Sequence, residues 1–268
     1  MQRMSSTFKT MPSRQRGVAL FVVIVFVMLS MLLALWASRT SMFNEMVVGN
    51  DADYQRAFEA AQALIQDAEL DIRGEKPDGS DCRIPVAADC RGGMAVAQIP
   101  LEAKEAAALW AELENITTGP RCRNGLCLKR TGRQDFWNNT SDKTDPLVDF
   151  TLAEMMVDGI GARYGQYSGA KLSTDANEPG GNPILRDRSR NDLGGWYWIE
   201  ILPYDPNADK SALIAGGANH LPLRMTPNVV YRITAVAHGR KLRRVGAVDV
   251  PVTQAVIQQT YARQKTPD

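Results

Sequence analysis

Two short patterns in the chain have the residue types of a serine acyl-transfer enzyme. Ser168-Gly-Ala-Lys171 has the Ser-x-x-Lys spacing in which a lysine can activate a serine nucleophile, and Ser189-Arg-Asn191 has the form of an accompanying Ser-x-Asn. Ser168, however, stands in a glycine-rich stretch rather than at the start of a helix, and Lys265-Thr-Pro267 lacks the glycine of the third pattern. We therefore interpret these residues as solvated loop positions and expect no enzymatic activity.

Other candidate groups for cofactor or metal binding are sparse. The stretch Gly159-Ile-Gly161-Ala-Arg-Tyr-Gly165 has one residue too many for a dinucleotide-binding loop. Asp142, Asp145 and Asp149 lack the spacing and the central glycine of a calcium loop. Of the two histidines, His238 is expected in a hairpin connection. We predict no cofactor and no metal site.

Four cysteines are the remaining reactive side chains, namely Cys82, Cys90, Cys122 and Cys127. Four cysteines allow three disulfide pairings. The Asn-Gly pair between Cys122 and Cys127 is typical of a tight turn, which favours closure of this short loop and leaves Cys82 for Cys90. A zinc site would need Cys-x-x-Cys spacing or histidines, so these four cysteines fit disulfides better than a zinc site.

The charge of the chain is balanced overall but uneven at its start. There are 31 Lys and Arg residues against 30 Asp and Glu residues among 268, so a dedicated nucleic-acid binder is not expected. Residues 1–17 contain Arg3, Lys9, Arg14 and Arg16 and no acid. This basic segment directly precedes residues 18–37, which contain no charge and one hydroxyl, that of Ser30.

The uncharged run predicts a membrane-spanning helix over residues 18–38. Twenty residues at about 1.5 Å each reach roughly 30 Å, the thickness of a bilayer core. The upstream cations predict a cytoplasmic N-terminus, with the remainder exported. All four cysteines would then lie in an oxidising compartment, where disulfides persist.

The boundary between the basic segment and the apolar run suggests how the N-terminus is processed. A secretory signal peptide is a poorer fit, because the run is long and no small-x-small cleavage site ends it. Instead, Ser13-Arg-Gln-Arg-Gly17 resembles the class III leader of type IV pilins, which is cut after its glycine. This resemblance implies cleavage between Gly17 and Val18 and N-methylation of Val18. A plain signal anchor is the alternative.

Residues 39–73 predict an amphipathic continuation of this helix. Apolar side chains recur every three or four residues between Tyr54 and Ile72, which is the spacing of one helix face. Asn50 or Asp51 is a candidate cap, and Asp53 is expected in the first turn that follows.

The order of these elements resembles the N-terminal region of PilX-type minor pilins of the type IV pilus system. The resemblance rests on the Gln-Arg-Gly leader end, on Asn-Glu-Met-x-x-Gly-Asn at 44–50 and on Ala-Phe-Glu-Ala-Ala at 57–61. Most pilins carry Glu at the fifth mature position, thought to pair with a neighbouring subunit's amino terminus; here that position is Val22. PilX-like pilins and the K-type tip pseudopilins of type II secretion resemble each other in lacking it.

Residues 74–268 are predicted to form an exported pilin-like head. The expected fold class is α+β, with the long N-terminal helix packed on an antiparallel sheet. We predict a helix at 101–113 and strands at 196–202, 229–236 and 244–252, the last two joined as a hairpin through 237–242. Alternation in the middle strand predicts one packed face and one wet face, and Trp196, Tyr197 and Trp198 are expected in the core.

The sequence therefore predicts a minor pilin that primes assembly of a type IV pilus, or caps it, through helix packing in the membrane and head contacts. The resemblance implies prepilin peptidase, other minor pilins, the major pilin and a PilY-type tip protein as partners, with no nucleic acid. It also implies an inner-membrane protein that passes into the pilus. A K-type pseudopilin and a single-span envelope protein are the alternatives. The basic stretches 121–130 and 240–244 are candidate partner or adhesion patches.

Overall fold

The protein is described here from a computed structural model, which covers residues 16–83, 89–94, 96–139, 149–172, 181–203 and 229–263. The chain divides into two compact units, Met1–Gly49 and Asn50–Asp268.

The described residues form four α-helices, two 3₁₀ turns and seven strands. The helices are α1 (Arg16–Arg73), α2 (Ala103–Glu114), α3 (Leu152–Met155) and α4 (Pro183–Arg186). The 3₁₀ turns are Arg91–Gly93 and Phe136–Asn138. The strands are β1 (Cys122–Arg123), β2 (Leu126–Cys127), β3 (Gly195–Pro203), β4 (Val229–His238), β5 (Leu242–Val245), β6 (Val248–Pro251) and β7 (Gln254–Tyr261).

Helix α1 passes through Gly49 without a break. The expectation that Asn50 or Asp51 caps a second helix is therefore wrong, because one glycine inside a helix costs only about 1 kcal/mol and does not have to end it. The helix ends where Gly74 takes a φ of 67°, a left-handed conformation that suits glycine.

A five-stranded sheet forms the centre of the second unit, in the order β1-β2-β3-β4-β7. All neighbours are antiparallel except β2 and β3, which are parallel. The α+β class, with a long helix and an antiparallel-rich sheet, is confirmed.

The predicted hairpin between β4 and residues 244–252 is wrong. A turn at Gly246, with a φ of 62°, folds that segment back on itself as the separate β5–β6 pair. The strand that pairs with β4 is β7, in the register Ala235 to Ile257. The interpretation of 244–252 as one strand missed the Gly-Ala pair, which supports a two-residue turn.

The first face of the sheet packs on α1. Buried α1 side chains recur at helical spacing, as Ala57, Ala60, Ala61, Leu64, Ile65, Ala68 and Ile72. They meet inward side chains of β3 and β4, including Tyr197, Ile199, Tyr231 and Ile233. Gly195 allows this close approach, since a Cβ there would lie 2.6 Å from Leu64 Cδ1.

The second face is also covered, so the prediction that it is wet was wrong. Trp196, Trp198 and Val236 are fully buried there. Their cluster includes Phe136, Phe150, Met155, Met156 and both cysteines of the β1–β2 pair. The cover comes from loop residues and short helices, which carry too little periodicity for a sequence pattern to reveal them.

The structure contains two disulfides, Cys82–Cys90 and Cys122–Cys127. The second joins facing residues of β1 and β2. Asn124 and Gly125 connect these strands with φ values of 53° and 81°, the double positive φ of a type I′ turn.

Candidate functional site

The first candidate site is the apolar part of α1. Every side chain from Val18 to Asn50 is exposed within the structure. A window in this helix has a mean hydropathy of 3.2 with none of it buried, so the helix is long and apolar enough to span a membrane. An exposed apolar surface of this extent needs either lipid or other protein helices to cover it.

Two hydroxyl groups of this segment bond within the helix. Ser30 Oγ donates to Phe26 O at 2.7 Å, and Thr40 Oγ1 donates to Trp36 O at 3.0 Å. Such back-bonding suits a helix in lipid, where no water can accept the hydroxyl proton. The Gly17–Val18 bond lies in the first turn of α1, and the Val22 side chain is exposed one turn later.

The second half of α1 carries buried carboxylates that bind the head's loops. Asp71 receives two hydrogen bonds from Arg91, Nε to Oδ1 at 2.8 Å and Nη2 to Oδ2 at 2.6 Å, in a buried bidentate ion pair. The Tyr197 hydroxyl donates to Asp71 Oδ2 at 3.2 Å, and the Arg91 guanidinium lies 4.0 Å from the centre of the Tyr167 ring. Burial opposes the charge of Arg91, but the charge and hydrogen bonds of Asp71 outweigh it and raise the pKa of Arg91.

Asp67 lies one turn before Asp71 and holds the loop at 165–168. Gly165 N donates to Asp67 Oδ2 at 2.8 Å, and Ser168 Oγ donates to Oδ1. Burial raises the pKa of Asp67 to about 7, although the bonds from Ser168 and Gly165 act in the opposite direction. This carboxyl group therefore titrates near neutral pH.

Asp53 holds the connection that follows β4. Arg240 N donates to its Oδ1 at 2.9 Å, Lys241 N donates to its Oδ2 at 3.3 Å, and the Thr253 hydroxyl also donates to it. The expectation that Asp53 stabilises the first turn of a helix is wrong, because α1 begins far upstream and Asp53 binds loop amides instead.

Sequence reasoning missed all three carboxylates as structural anchors. Asp67 and Asp71 follow Leu64 at intervals of three and seven residues, so they share its apolar face. Acidic residues within an apolar helix face are rarely buried unless they are paired. Their position on this face was therefore the sequence signal that could have indicated buried, paired carboxylates.

The basic stretch 121–130 lies beside a fourth buried carboxylate, that of Glu200. Glu200 accepts from Arg232 Nε at 2.7 Å and from Arg130 Nη2 at 2.9 Å. Burial acts to raise the pKa of Glu200, but the bonds from Arg232 and then Arg130 outweigh it and lower the pKa. Part of this basic stretch is therefore structural rather than free for a partner.

The second basic stretch, 240–244, divides in a similar way. The amides of Arg240 and Lys241 bind Asp53. The side chains of Arg243 and Arg244 are exposed, with Arg244 Nη1 3.9 Å from Asp249 Oδ1.

The structure does not assemble a serine acyl-transfer site from the described residues. Ser168 is fully buried on Asp67, which corrects its interpretation as a solvated position, while the Lys171 side chain is 83% exposed with Nζ 4.0 Å from Asp89. Ser189 Oγ donates to Asp187 at 2.7 Å. Lys265 lies outside the described residues.

The other candidate groups have structural surroundings. A Cβ at Gly161 would lie 2.8 Å from the Trp196 ring, so this glycine packs against the covered face rather than around a cofactor. Asp149 is buried and accepts from Arg133 N at 3.4 Å. Asp142 and Asp145 lie outside the described residues, and the described part of the chain contains no group of three or more potential metal ligands.

His238 ends β4 and is buried. Burial lowers its pKa, with a hydrogen bond to Gln254 acting in the opposite direction. Burial therefore favours the neutral imidazole in the folded state.

Comparison with known proteins agrees with this architecture. A family model described as the C-terminal part of the type IV pilus assembly protein PilX matches residues 123–263, more than half of the chain. A second, described as the PilX N-terminal region, matches residues 16–65. No curated protein and no solved structure matches. The two family matches cover the apolar half of α1, most of its buried half and the central sheet, and the chain belongs to the PilX family of type IV pilus assembly proteins, as a minor pilin.

Proposed function

We propose that this subunit starts or caps a type IV pilus. The observation that carries the proposal is the exposed, uncharged helix surface at 18–37, which continues into a helix that forms the core of a folded head. Before assembly this surface is covered by lipid of the inner membrane, and in the filament by the helices of other minor pilins and the major pilin. The subunit acts by packing, not by catalysis.

Processing by prepilin peptidase precedes assembly in this proposal. The peptidase cuts between Gly17 and Val18, and the new amino terminus of Val18 is methylated. Residues 1–17 stay on the cytoplasmic side, residues 18–38 span the membrane, 39–73 continue the helix, and 74–268 form the exported head. The head provides partner specificity, including contact with a PilY-type tip protein.

Mass spectrometry of the N-terminus tests this processing, using protein from membranes and from sheared surface fibres. A chain that begins at methylated Val18 and is recovered in fibres supports the proposal. An intact Met1, or a chain confined to membranes, contradicts it and favours a plain signal anchor.

Val22 bears on where the subunit sits. A lone carboxylate in a bilayer is unfavourable unless it has a partner. If this subunit meets no neighbouring amine, Val22→Glu and the control Val23→Glu will reduce recovery in fibres equally. If Val22→Glu is recovered in fibres at the same level and copy number as the wild type, the result contradicts a position of this subunit at the end of the pilus.

A further inference from the structure

A small cleft opens on the covered second face of the sheet, beside the Cys122–Cys127 disulfide. Its volume is about 30 Å³, and it lies between the segment 120–131 and the residues around α3. Phe150, Met155 and Leu128 provide an apolar wall, and Arg121, Lys129 and Arg130 provide the charged side. Phe150 and Met155 are buried in the cluster that covers the sheet, so the wall is fixed by packing.

The charge around this cleft is unbalanced. Glu200 is the carboxylate that pairs with Arg130, and it also pairs with Arg232, so one negative charge meets two guanidinium groups. Within the described ranges, no carboxylate forms an ion pair with Arg121 or Lys129. The lining of the cleft therefore carries three cations and no carboxylate, although the chain as a whole is nearly neutral.

Two guanidinium nitrogens here also lack hydrogen-bond acceptors. Arg121 Nε and Arg130 Nη1 are both shielded from solvent, and neither has a hydrogen-bond partner, although the Arg130 guanidinium stacks 4.0 Å from the centre of the Phe136 ring. Buried donors of this kind are uncommon in folded proteins, and each one left unmet is unfavourable. Both belong to side chains that line the same cleft, so an acceptor bound there, with a small shift of either side chain, could satisfy them.

The two sides of the cleft point to one chemistry of ligand. Guanidinium groups match the geometry of a carboxylate, and charge-assisted bonds to it are stronger than neutral ones. The apolar wall favours a carboxylate that is attached to hydrocarbon over a small, fully hydrated anion. We propose that this cleft binds an acidic side chain, flanked by an apolar one, on the surface of another protein.

The proposal can be tested on the full chain in nanodiscs, with methionine methyl groups labelled with carbon-13. The Met155 methyl lies in the wall and reports occupancy; Met155→Leu assigns its signal. The probe is the peptide N-acetyl-Phe-Glu-Phe-amide, and its matched control is the same peptide with Gln in place of Glu. We expect a saturable shift of the Met155 signal, with the Gln peptide binding about tenfold more weakly because one charge-assisted hydrogen bond is lost.

Variants of the protein make the test specific. Arg121→Gln should weaken binding of the Glu peptide about tenfold, whereas Arg243→Gln, which removes an equal charge from exposed β5, should leave it unchanged. Lys129→Gln is the second variant, since this side chain is exposed and its loss will not disturb folding. Melting temperatures check that each variant is folded.

Three results would overturn the proposal. They are equal binding of the two peptides, equal loss for Arg121→Gln and Arg243→Gln, and the same Met155 shift with inorganic phosphate alone, which would indicate a general anion patch. The inference concerns the head and is measured without fibres, so it fails or holds independently of the processing of Val18.

Discussion

The two parts of α1 use similar side chains in opposite ways. Residues 18–49 expose their apolar side chains all around the helix. The hydroxyl groups of Ser30 and Thr40 form hydrogen bonds to backbone carbonyl groups of the same helix. Residues 50–73 bury one apolar face on a sheet and direct Asp53, Asp67 and Asp71 into the loops of the head. One helix thus has an exposed apolar surface and a buried one, and the buried carboxylates mark the second.

Removing one member of the buried ion pair should have the largest effect on this second part. Asp71→Asn leaves the Arg91 guanidinium buried without its counter-ion, which is expected to destabilise the head by about 3–5 kcal/mol. Thermal or denaturant unfolding of the full chain in micelles measures it. Asp51→Asn, at an exposed position of the same helix, is the control and should change little. Equal effects of the two variants would show that the buried position of Asp71 adds nothing to the loss of one negative charge.

A matched pair of leucines compares the apolar surfaces directly. Leu64→Ala creates a cavity in the core between α1 and the sheet and should destabilise the head by about 3 kcal/mol. Leu32 is 63% exposed, so Leu32→Ala should leave the unfolding of the head unchanged while reducing recovery in sheared fibres. A loss of head stability from Leu32→Ala would contradict this division.

The pH dependence of stability should report Asp67. Its pKa is raised from 3.8 to about 7, so the native state holds a proton that the unfolded chain releases. The stability that this protonated carboxyl group contributes is complete below pH 4 and is lost as pH rises through about 7, on the order of 4 kcal/mol in total.

Asp67→Asn isolates this effect. The amide can accept from Gly165 and donate to Ser168, so the variant should fold and lose this part of the pH dependence. His238 acts in the opposite sense, because its lowered pKa disfavours the folded state as pH falls. The difference between wild type and Asp67→Asn from pH 4 to 8 is therefore the measurement. Parallel curves would show that Asp67 titrates normally.

The smallest expected effect comes from one substitution made at two glycines. A Cβ at Gly195 would lie 2.6 Å from Leu64 Cδ1, so Gly195→Ala should destabilise the head by about 1–3 kcal/mol through overpacking. Gly49 has nothing within 4 Å of an added Cβ. Gly49→Ala should therefore stabilise the helix by roughly 0.5–1 kcal/mol without changing the melting temperature of the head. Circular dichroism measures the helix content of each variant, and thermal unfolding measures the stability of the head, so the two measurements distinguish the two effects. If Gly49→Ala changed the melting temperature of the head, this would show that the core of the head extends into the first part of α1.

The sequence was most informative where one property dominates a long run. The uncharged stretch at 18–37 predicted an apolar helix, and the β-branched and aromatic runs predicted β3 and β4, because these signals extend over many residues. The β5–β6 turn and β7 were missed, since four-residue strands around Gly246 resemble a single longer one.

The candidate site was less predictable for a different reason. Asp53, Asp67 and Asp71 find their partners 98 to 200 residues away or, for Arg91, 20 residues away, and no local pattern encodes such pairs. The cover of the second face likewise comes from loops whose placement depends on the finished sheet.

The small β1–β2 pair has a consequence for how copies of the head avoid one another. Free sheet edges recruit strands from other chains, which is a route to aggregation where subunits are concentrated. On the β3 side, the edge is occupied by two-residue strands that a disulfide closes into a rigid cap, too short to template a further strand. In the described sheet, β7 is the other edge strand, and backbone pairing with a strand of another chain can begin there.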